Sequence, residues 1–280
     1  MPSRIAAQLY TLRNFTRTPA EIAQTFKKVK QIGYDAVQAS ALGPIEYTEL
    51  AKILDGEGLV CCATHVGFEK MRDEPRQVID EHAAIKCIYP AIGGLPEKYR
   101  SEQGYHQFAR EFNEVGKVLR QGGLWIGYHN HSFELEKFGR KTALDILIEE
   151  TEKEAVNFEI DTYWIQHGGG DPAAWIRKVS GRIPLVHLKD MVFGADTTAA
   201  APAQFVGEPE EDYQNRAAAA RAKKPIMAEV GEGNINFPAI LDACRAAGTE
   251  WYIVEQDTCQ RDPFESLAIS IRNLREMGLQ

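Results

Sequence analysis

Several short apolar runs in this chain end in residues that can hold a proton or a cation. Thr64-His65 closes one run, Tyr128-His129-Asn130-His131 closes another with Glu134 just beyond, and Glu159-Ile160-Asp161 closes a third. His187-Leu188-Lys189-Asp190 and Glu255-Gln256-Asp257 end two more. Carboxylates gathered at one place need a cation, a shared proton or open water, because like charges oppose each other's ionisation. The economical arrangement is one divalent ion held by Glu134, Asp161, His187 and Glu255. Three oxygen donors and one imidazole nitrogen form a hard-to-borderline set, which suits Mn²⁺ first and Mg²⁺, Co²⁺ or Zn²⁺ as alternatives. A thiolate-preferring metal fits poorly, since only Cys259 lies at a comparable position. Any one of these residues alone would as readily cap a loop or form a surface ion pair. Their recurrence at successive run ends argues for a common site.

Such residues share a rim only if the elements carrying them close around it. The chain alternates apolar runs with amphipathic stretches from end to end. Strands are expected at Ile5–Tyr10, Tyr34–Ala39, Leu59–Val66, Ile88–Ile92, Trp125–Asn130, Val156–Asp161, Pro184–Leu188 and Tyr252–Glu255. Helices fall between them. Thr18-Pro19-Ala20-Glu21 opens the first with an N-cap, a proline and a capping glutamate, and Ile22, Phe26 and Val29 give it one apolar face before Gly33. Phe108, Phe112, Val115 and Leu119 make the same kind of face on the fourth. Strict strand–helix alternation over eight units predicts one (β/α)8 TIM barrel spanning residues 1–280. The rival is an open doubly wound sheet, but Gln8-Leu9-Tyr10-Thr11 lacks the glycines of a phosphate turn after the first strand. In a parallel barrel the strand ends and the loops after them carry function. The one break in rhythm is about 191–224, too long for a plain connection. It is expected to hold a helix near Glu211–Ala222 and to act as a lid or an oligomer contact.

Composition narrows the partners. The 280 residues carry 32 Lys plus Arg against 40 Asp plus Glu, a formal charge of −8. An acidic surface without a long basic run disfavours nucleic acid and acidic membranes. No apolar run is long enough to span a bilayer, and the first residues lack an apolar signal core. Cys61, Cys62, Cys87, Cys244 and Cys259 include no CxxC pair. Reduced thiols and a cytoplasmic setting are the expectation.

The motifs together resemble the sugar phosphate isomerase/epimerase family. They are Tyr128-His129-Asn130-His131-Ser132-Phe133-Glu134, Asp161-Thr162-Tyr163-Trp164 with Gly168-Gly169-Gly170-Asp171-Pro172, His187-Leu188-Lys189-Asp190, Gly231-Glu232-Gly233 and Glu255-Gln256-Asp257. The resemblance covers nearly the whole chain and keeps the family's motif order. It implies a xylose isomerase-like barrel whose relatives include ketose 3-epimerases, hydroxypyruvate isomerase, inosose dehydratase and enzymes of 3-keto sugars. It implies Glu134, Asp161, His187 and Glu255 as ligands of one divalent metal, with Glu134 and Glu255 as the acid/base pair on opposite sides of a carbohydrate. The expected activity is isomerisation or epimerisation of a keto sugar or polyol ketone through a metal-stabilised enediolate. β-Elimination from an inosose or 3-keto glycoside is the alternative. A non-catalytic sugar-binding or partner subunit is the remote one. A multi-zinc abasic-site endonuclease of the same superfamily fits the charge poorly.

Further residues are candidates for substrate contact: His65 and His131 at strand ends, Trp164 as an apolar wall, Lys189 beside the acids, and Glu232 on its glycine turn. His82 and His106 fall on helices away from the rim and are expected to be structural or exposed. A small-molecule carbohydrate is the expected partner, with a homo-oligomer possible.

Overall fold

A computed structural model describes residues 4–195 and 202–279. Eight parallel strands form the barrel expected from the alternation: β1 Ile5–Gln8, β2 Ala36–Ala39, β3 Val60–His65, β4 Pro90–Ile92, β5 Ile126–His129, β6 Val156–Asp161, β7 Leu185–Leu188 and β8 Trp251–Val254. Each pairs in parallel with its sequence neighbours, and β8 closes onto β1 through Ile5↔Tyr252 to Ala7↔Val254. Among the described residues no helix is long and apolar enough to cross a membrane.

The period of two along each strand decides what enters the barrel. Outward residues such as Ile5, Ala7, Val37 and Tyr128 join the core beneath the helices. Inward residues stack in layers along the barrel axis. Ala6, Ala36, Cys62, Leu185 and Ile253 form a small apolar cluster. Two residues further along the same strands come Gln8, Gln38 and His187, all fully buried. The barrel therefore has an apolar floor and a polar layer toward the strand C-termini.

The flanking helices hold this cylinder rigid. Pro19–Ile32 begins with the expected capping box from Thr18 and Glu21 and stops at Gly33, whose φ of 112° is left-handed. Glu102–Gln121 buries Phe108, Phe112, Val115 and Leu119 as its spacing predicts. The first strand ends earlier than expected. Gln8 turns its side chain inward to accept from the Tyr10 N–H, and Leu9–Phe15 continues as a 3-10 helix.

The long segment becomes an arm. Asp190–Ala195 and Lys223–Ala228 pair antiparallel, and Glu210–Ala220 is the helix expected nearby. The six residues 196–201, within that expected insertion, lie outside the described residues. The arm's root is a carboxylate clamp. Asp190 accepts from the backbone N–H groups of Met191 (2.7 Å), Gly231 (2.9 Å), Gly233 (3.0 Å) and Ile235 (3.1 Å). A Cβ on Gly233 would stand 2.3 Å from Asp190 Oδ1, so only glycine lets the loop close on the acid. Replacing Asp190 by Ala leaves four backbone donors without their acceptor, that of Ile235 buried, and is expected to lower stability by about 1–3 kcal/mol. Urea unfolding measures this, and a midpoint unchanged from wild type would show that the clamp contributes nothing.

Candidate metal centre and cavity

The strand C-termini open into a cavity of about 430 Å³ lined by Tyr10, Ser40, His65, His129, His131, Trp164, Lys189, Glu255 and Asp257, among others. At its base His129, Asp161, His187 and Glu255 offer ligand atoms that all lie within 4.8 Å of one another. Their positions follow from parity. His129 ends β5 in register with Glu159, Asp161 ends β6 in register with His187, and Glu255 follows β8.

His187 is held by its far nitrogen. Nε2 lies 2.6 Å from Gln38 Oε1 and 3.1 Å from Glu159 Oε1, both acceptors, so Nε2 carries the proton. Gln8 Nε2 donates to the same Gln38 oxygen at 2.7 Å, and Gln38 Nε2 donates to Glu159 at 2.9 Å, which fixes the amide's orientation. His187 Nδ1 then faces Glu255 Oε2 at 2.8 Å and Asp161 Oδ2 at 3.8 Å. Despite this proximity, His187 Nδ1, His129 Nδ1 and Glu255 Oε2 are buried without a well-angled hydrogen bond. Carboxylates and imidazoles converging in a buried pocket, balanced by the nearby Lys189 ammonium, form a donor set that can take a cation. The donor set, two imidazoles and two carboxylates, suits a borderline divalent ion.

Charge at the site matches this geometry. Burial works against ionised Asp161 and Glu255, but the Lys189 charge together with His187 and His129 holds both below the usual carboxylate range. Burial would also lower His187, yet Glu159 and Glu255 outweigh it and raise the imidazole above its ordinary value. Nearer the mouth, burial raises Asp257 to about 6 against the pull of Lys189. Burial and then the charge on His129 push His131 down to about 3, so its imidazole is neutral.

A second constellation, His65, Glu159 and His187, also lies close enough for metal ligation. It differs in being saturated. Glu159 takes His65 Nε2 at 2.9 Å on one oxygen and Gln38 and His187 on the other, and His65 Nδ1 meets Ser40 Oγ at 3.1 Å. This layer's hydrogen bonds are largely made within itself, and they orient His187 for the first set.

Two expected site residues stand elsewhere. Glu134 does not join the ligand set or line the cavity. The 3-10 turn Phe133–Leu135 folds it back under β5, where Tyr128 Oη (2.8 Å) and the His131 backbone N–H (2.8 Å) occupy its two oxygens. Engaged there, it stands outside both the ligand cluster and the cavity lining, contrary to the metal and acid/base roles expected of it. Glu232 is exposed at the surface, 3.3 Å from Arg261, and the glycines around it serve the Asp190 clamp. The remaining candidates Asp161, His187 and Glu255 come together, and His65, His131, Trp164 and Lys189 line the cavity. No described arm residue between 191 and 228 lines it, so the lid half of that expectation is not what these residues do. His82 is buried between Thr64 Oγ1 and the Val78 carbonyl, each at 2.7 Å, and His106 pairs with Glu150 at the surface.

His129 and Glu159 stand among the strand-end residues of the sequence without being assigned to the site there, Glu134 being taken over His129, and Gln38 is not singled out. The signal for them was parity. His129 shares the inward phase of Gly127, and Glu159 that of Asp161, whereas Glu134 lies past the strand, where parity no longer applies.

Comparison with known proteins agrees with the geometry. The family model for the xylose isomerase-like TIM barrel matches residues 26–277, and the chain belongs to that family. Among curated proteins it is similar to inosose dehydratase of Geobacillus thermodenitrificans (strain NG80-2), with 29% identity over 169 residues, 59% of this chain and 51% of that protein. The chain thus spans about half the length of the curated relatives it matches. Among solved structures it resembles a sugar phosphate isomerase/epimerase from Parabacteroides distasonis ATCC 8503, with a TM-score of 0.76 and 21% identity over 98% of this chain and 94% of that one. An L-ribulose 3-epimerase follows at a TM-score of 0.68 and 15% identity, over 100% of this chain and 95% of that one. These structural likenesses establish the fold.

Two outcomes follow from the site's geometry. Glu159→Gln removes the acceptor that helps hold His187 and should weaken Mn²⁺ binding about 10–100-fold. Calorimetric titration of the EDTA-treated protein reads this directly, and unchanged affinity would mean that Gln38 alone orients the ring. Glu134 gives a pH effect. Burial raises its carboxyl to about 7, although the Tyr128 and His131 donors favour the ionised form. A folded value above the unfolded one of about 4.3 gives stability that is full below the unfolded value and lost as pH rises through about 7. The loss is on the order of 3 kcal/mol. Glu134→Gln should therefore flatten the melting temperature between about pH 5 and 7.5 relative to wild type. Parallel profiles for the two proteins would contradict the shift.

Proposed function

We propose that this chain is a divalent-metal-dependent enzyme that removes water from an unphosphorylated cyclic polyhydroxy ketone. His129, Asp161, His187 and Glu255 would hold the ion. Once bound, it supplies a Lewis acid for the ketone and its neighbouring hydroxyl. The chain's own residues do the rest.

Proton removal falls to His131. His65 has both ring nitrogens engaged, by Ser40 and Glu159. Among the described residues neither nitrogen of His131 has a hydrogen-bond partner, and its imidazole is neutral. The role rests on the position of His131, whose Nδ1 stands unpartnered at the cavity wall and can accept the proton from the carbon beside the carbonyl, while burial works against its basicity. The electron pair of that C–H bond becomes the new double bond as the adjacent C–O bond breaks. The departing hydroxyl takes its proton from the Lys189–Asp257 pair, which also lines the cavity and whose charged atoms lie 2.9 Å apart. Water leaves, and proton exchange with solvent restores His131 and the pair. Trp164 forms an apolar wall beside His131, with ring centroids 5.4 Å apart, against which a sugar face can lie.

The observation that carries elimination over epimerisation is the burial of Glu134. Epimerisation needs groups of matched strength on both faces of one carbon, and the strand-five carboxylate expected for that work is turned into the protein. The similarity to inosose dehydratases supports the same choice. An unphosphorylated substrate is supported by the cavity's charge: its lining cation, Lys189, already faces three carboxylates. Isomerisation or epimerisation of a ketose stays as the second reading, since the same proton abstraction begins it.

The test is turnover of inososes, 3-keto glycosides and ketoses with Mn²⁺ in deuterated water, followed by NMR. Elimination is expected, with a new alkene signal. His131→Asn should cut its rate at least about 100-fold while Mn²⁺ affinity stays within a few-fold. Deuterium uptake without elimination would transfer the assignment to the epimerase reading. A purified protein that binds no divalent ion would overturn both.

A further inference from the structure

Lys189 stands inside the metal centre without belonging to its ligand set. It is 1% exposed, and its Nζ lies 3.0 Å from Asp161 Oδ2, 2.8 Å from Glu255 Oε2 and 2.9 Å from Asp257 Oδ1. Two of those oxygens are the ones that face the imidazoles. Glu255 Oε2 is 2.8 Å from His187 Nδ1, and Asp161 Oδ2 is 3.2 Å from His129 Nε2. An ammonium and a divalent ion held by the four ligands would thus draw on the same two oxygens.

The fold builds this placement in. Thr162 Oγ1 accepts from the Lys189 N–H at 3.0 Å and donates toward the Lys189 carbonyl at 2.8 Å, clamping the backbone at that residue. The next residue, Asp190, is locked by its own four N–H donors. With the main chain fixed on both sides, the side chain has little freedom to leave the acids. Asp257 is the one partner outside the ligand set, and it draws the ammonium toward the cavity.

We propose that Lys189 is the affinity-setting residue of the metal centre. Its positive charge neutralises part of the carboxylate charge, holds Asp161 and Glu255 together, and repels the ion that shares their oxygens. The site therefore binds a divalent ion reversibly, and the Asp257 carboxylate adjusts how strongly by bearing part of the ammonium. Buried like charges on shared ligands interact far more strongly than at a surface, so removing one has a large effect. The inference rests on reading His129, Asp161, His187 and Glu255 as the metal ligands.

The experiment titrates Mn²⁺, and separately Zn²⁺, into the EDTA-treated full chain by calorimetry, with melting temperatures recorded at each ion concentration. Lys189→Met is expected to bind at least tenfold tighter than wild type. Lys189→Arg, which keeps the charge, should stay within about threefold. Asp257→Asn, which leaves the ammonium wholly on Asp161 and Glu255, should bind about threefold to tenfold weaker. If Lys189→Met folds only with ion present, the ion dependence of its melting temperature gives the same comparison, and Asp257→Asn is read independently. Wild-type binding with Lys189→Met equal or weaker would overturn the role of Lys189 and leave the metal centre standing. Absence of binding in wild type and all variants would overturn the metal reading itself.

Discussion

His187 gives its Nε2 proton to Gln38 and Glu159, and that commitment decides what its other nitrogen can be. Nδ1 is then left facing the carboxylates of Asp161 and Glu255, 3.8 and 2.8 Å away, which favour a positive charge at that nitrogen. Carboxylates gathered in a dry interior are costly unless positive charge sits among them. The surrounding layers of the barrel answer to that demand. Gln8 orients Gln38, Gln38 and His65 saturate Glu159, and Lys189 brings a compensating charge from the mouth. The apolar floor of Ala6, Ala36, Leu185 and Ile253 closes the barrel beneath, so that the polar layer meets little water from below.

This dependence explains which parts of the site could be read from the sequence. Asp161, His187 and Glu255 end or directly follow barrel strands, where the period of two and the direction of the strand determine the facing of a side chain. Strand order then brings them together whatever the loops do. Glu134 and Glu232 lie in loops, and loop geometry is governed by local capping that a motif does not reveal. Glu134 found a tyrosine hydroxyl and a backbone N–H within its own turn. Glu232 sits between glycines whose N–H groups are consumed by Asp190, a long-range partner with no signal in the loop itself. Glu159 was hidden for the opposite reason. It lies one layer deeper than the residues that touch the cavity, and a buried acid there makes sense only once Gln38 and His65 are known to reach it.

The fold was more legible than the site because its evidence is redundant. Eight repetitions of strand and helix survive an error at any one boundary, such as the early end of β1 where Gln8 turns inward. A ligand set has no such redundancy, since one residue's displacement changes the chemistry. The replacement of a strand-five carboxylate by His129 illustrates this. The set loses a negative charge, moves from three oxygens and one nitrogen to two of each, and so shifts toward borderline ions.

That exchange also bears on the reaction. A carboxylate that is both ligand and base would be tied to the ion and to one face of the substrate. Here the two imidazoles stand apart along a single stretch of chain: His129 at the end of β5 joins the cluster of potential metal ligands, and His131, beyond it, lines the cavity with its Nδ1 unpartnered. Glu134 closes the same stretch by accepting from the His131 backbone at 2.8 Å, which fixes where that imidazole starts. The buried glutamate thus bears on the cavity by holding the backbone of a lining residue in place of lining it itself.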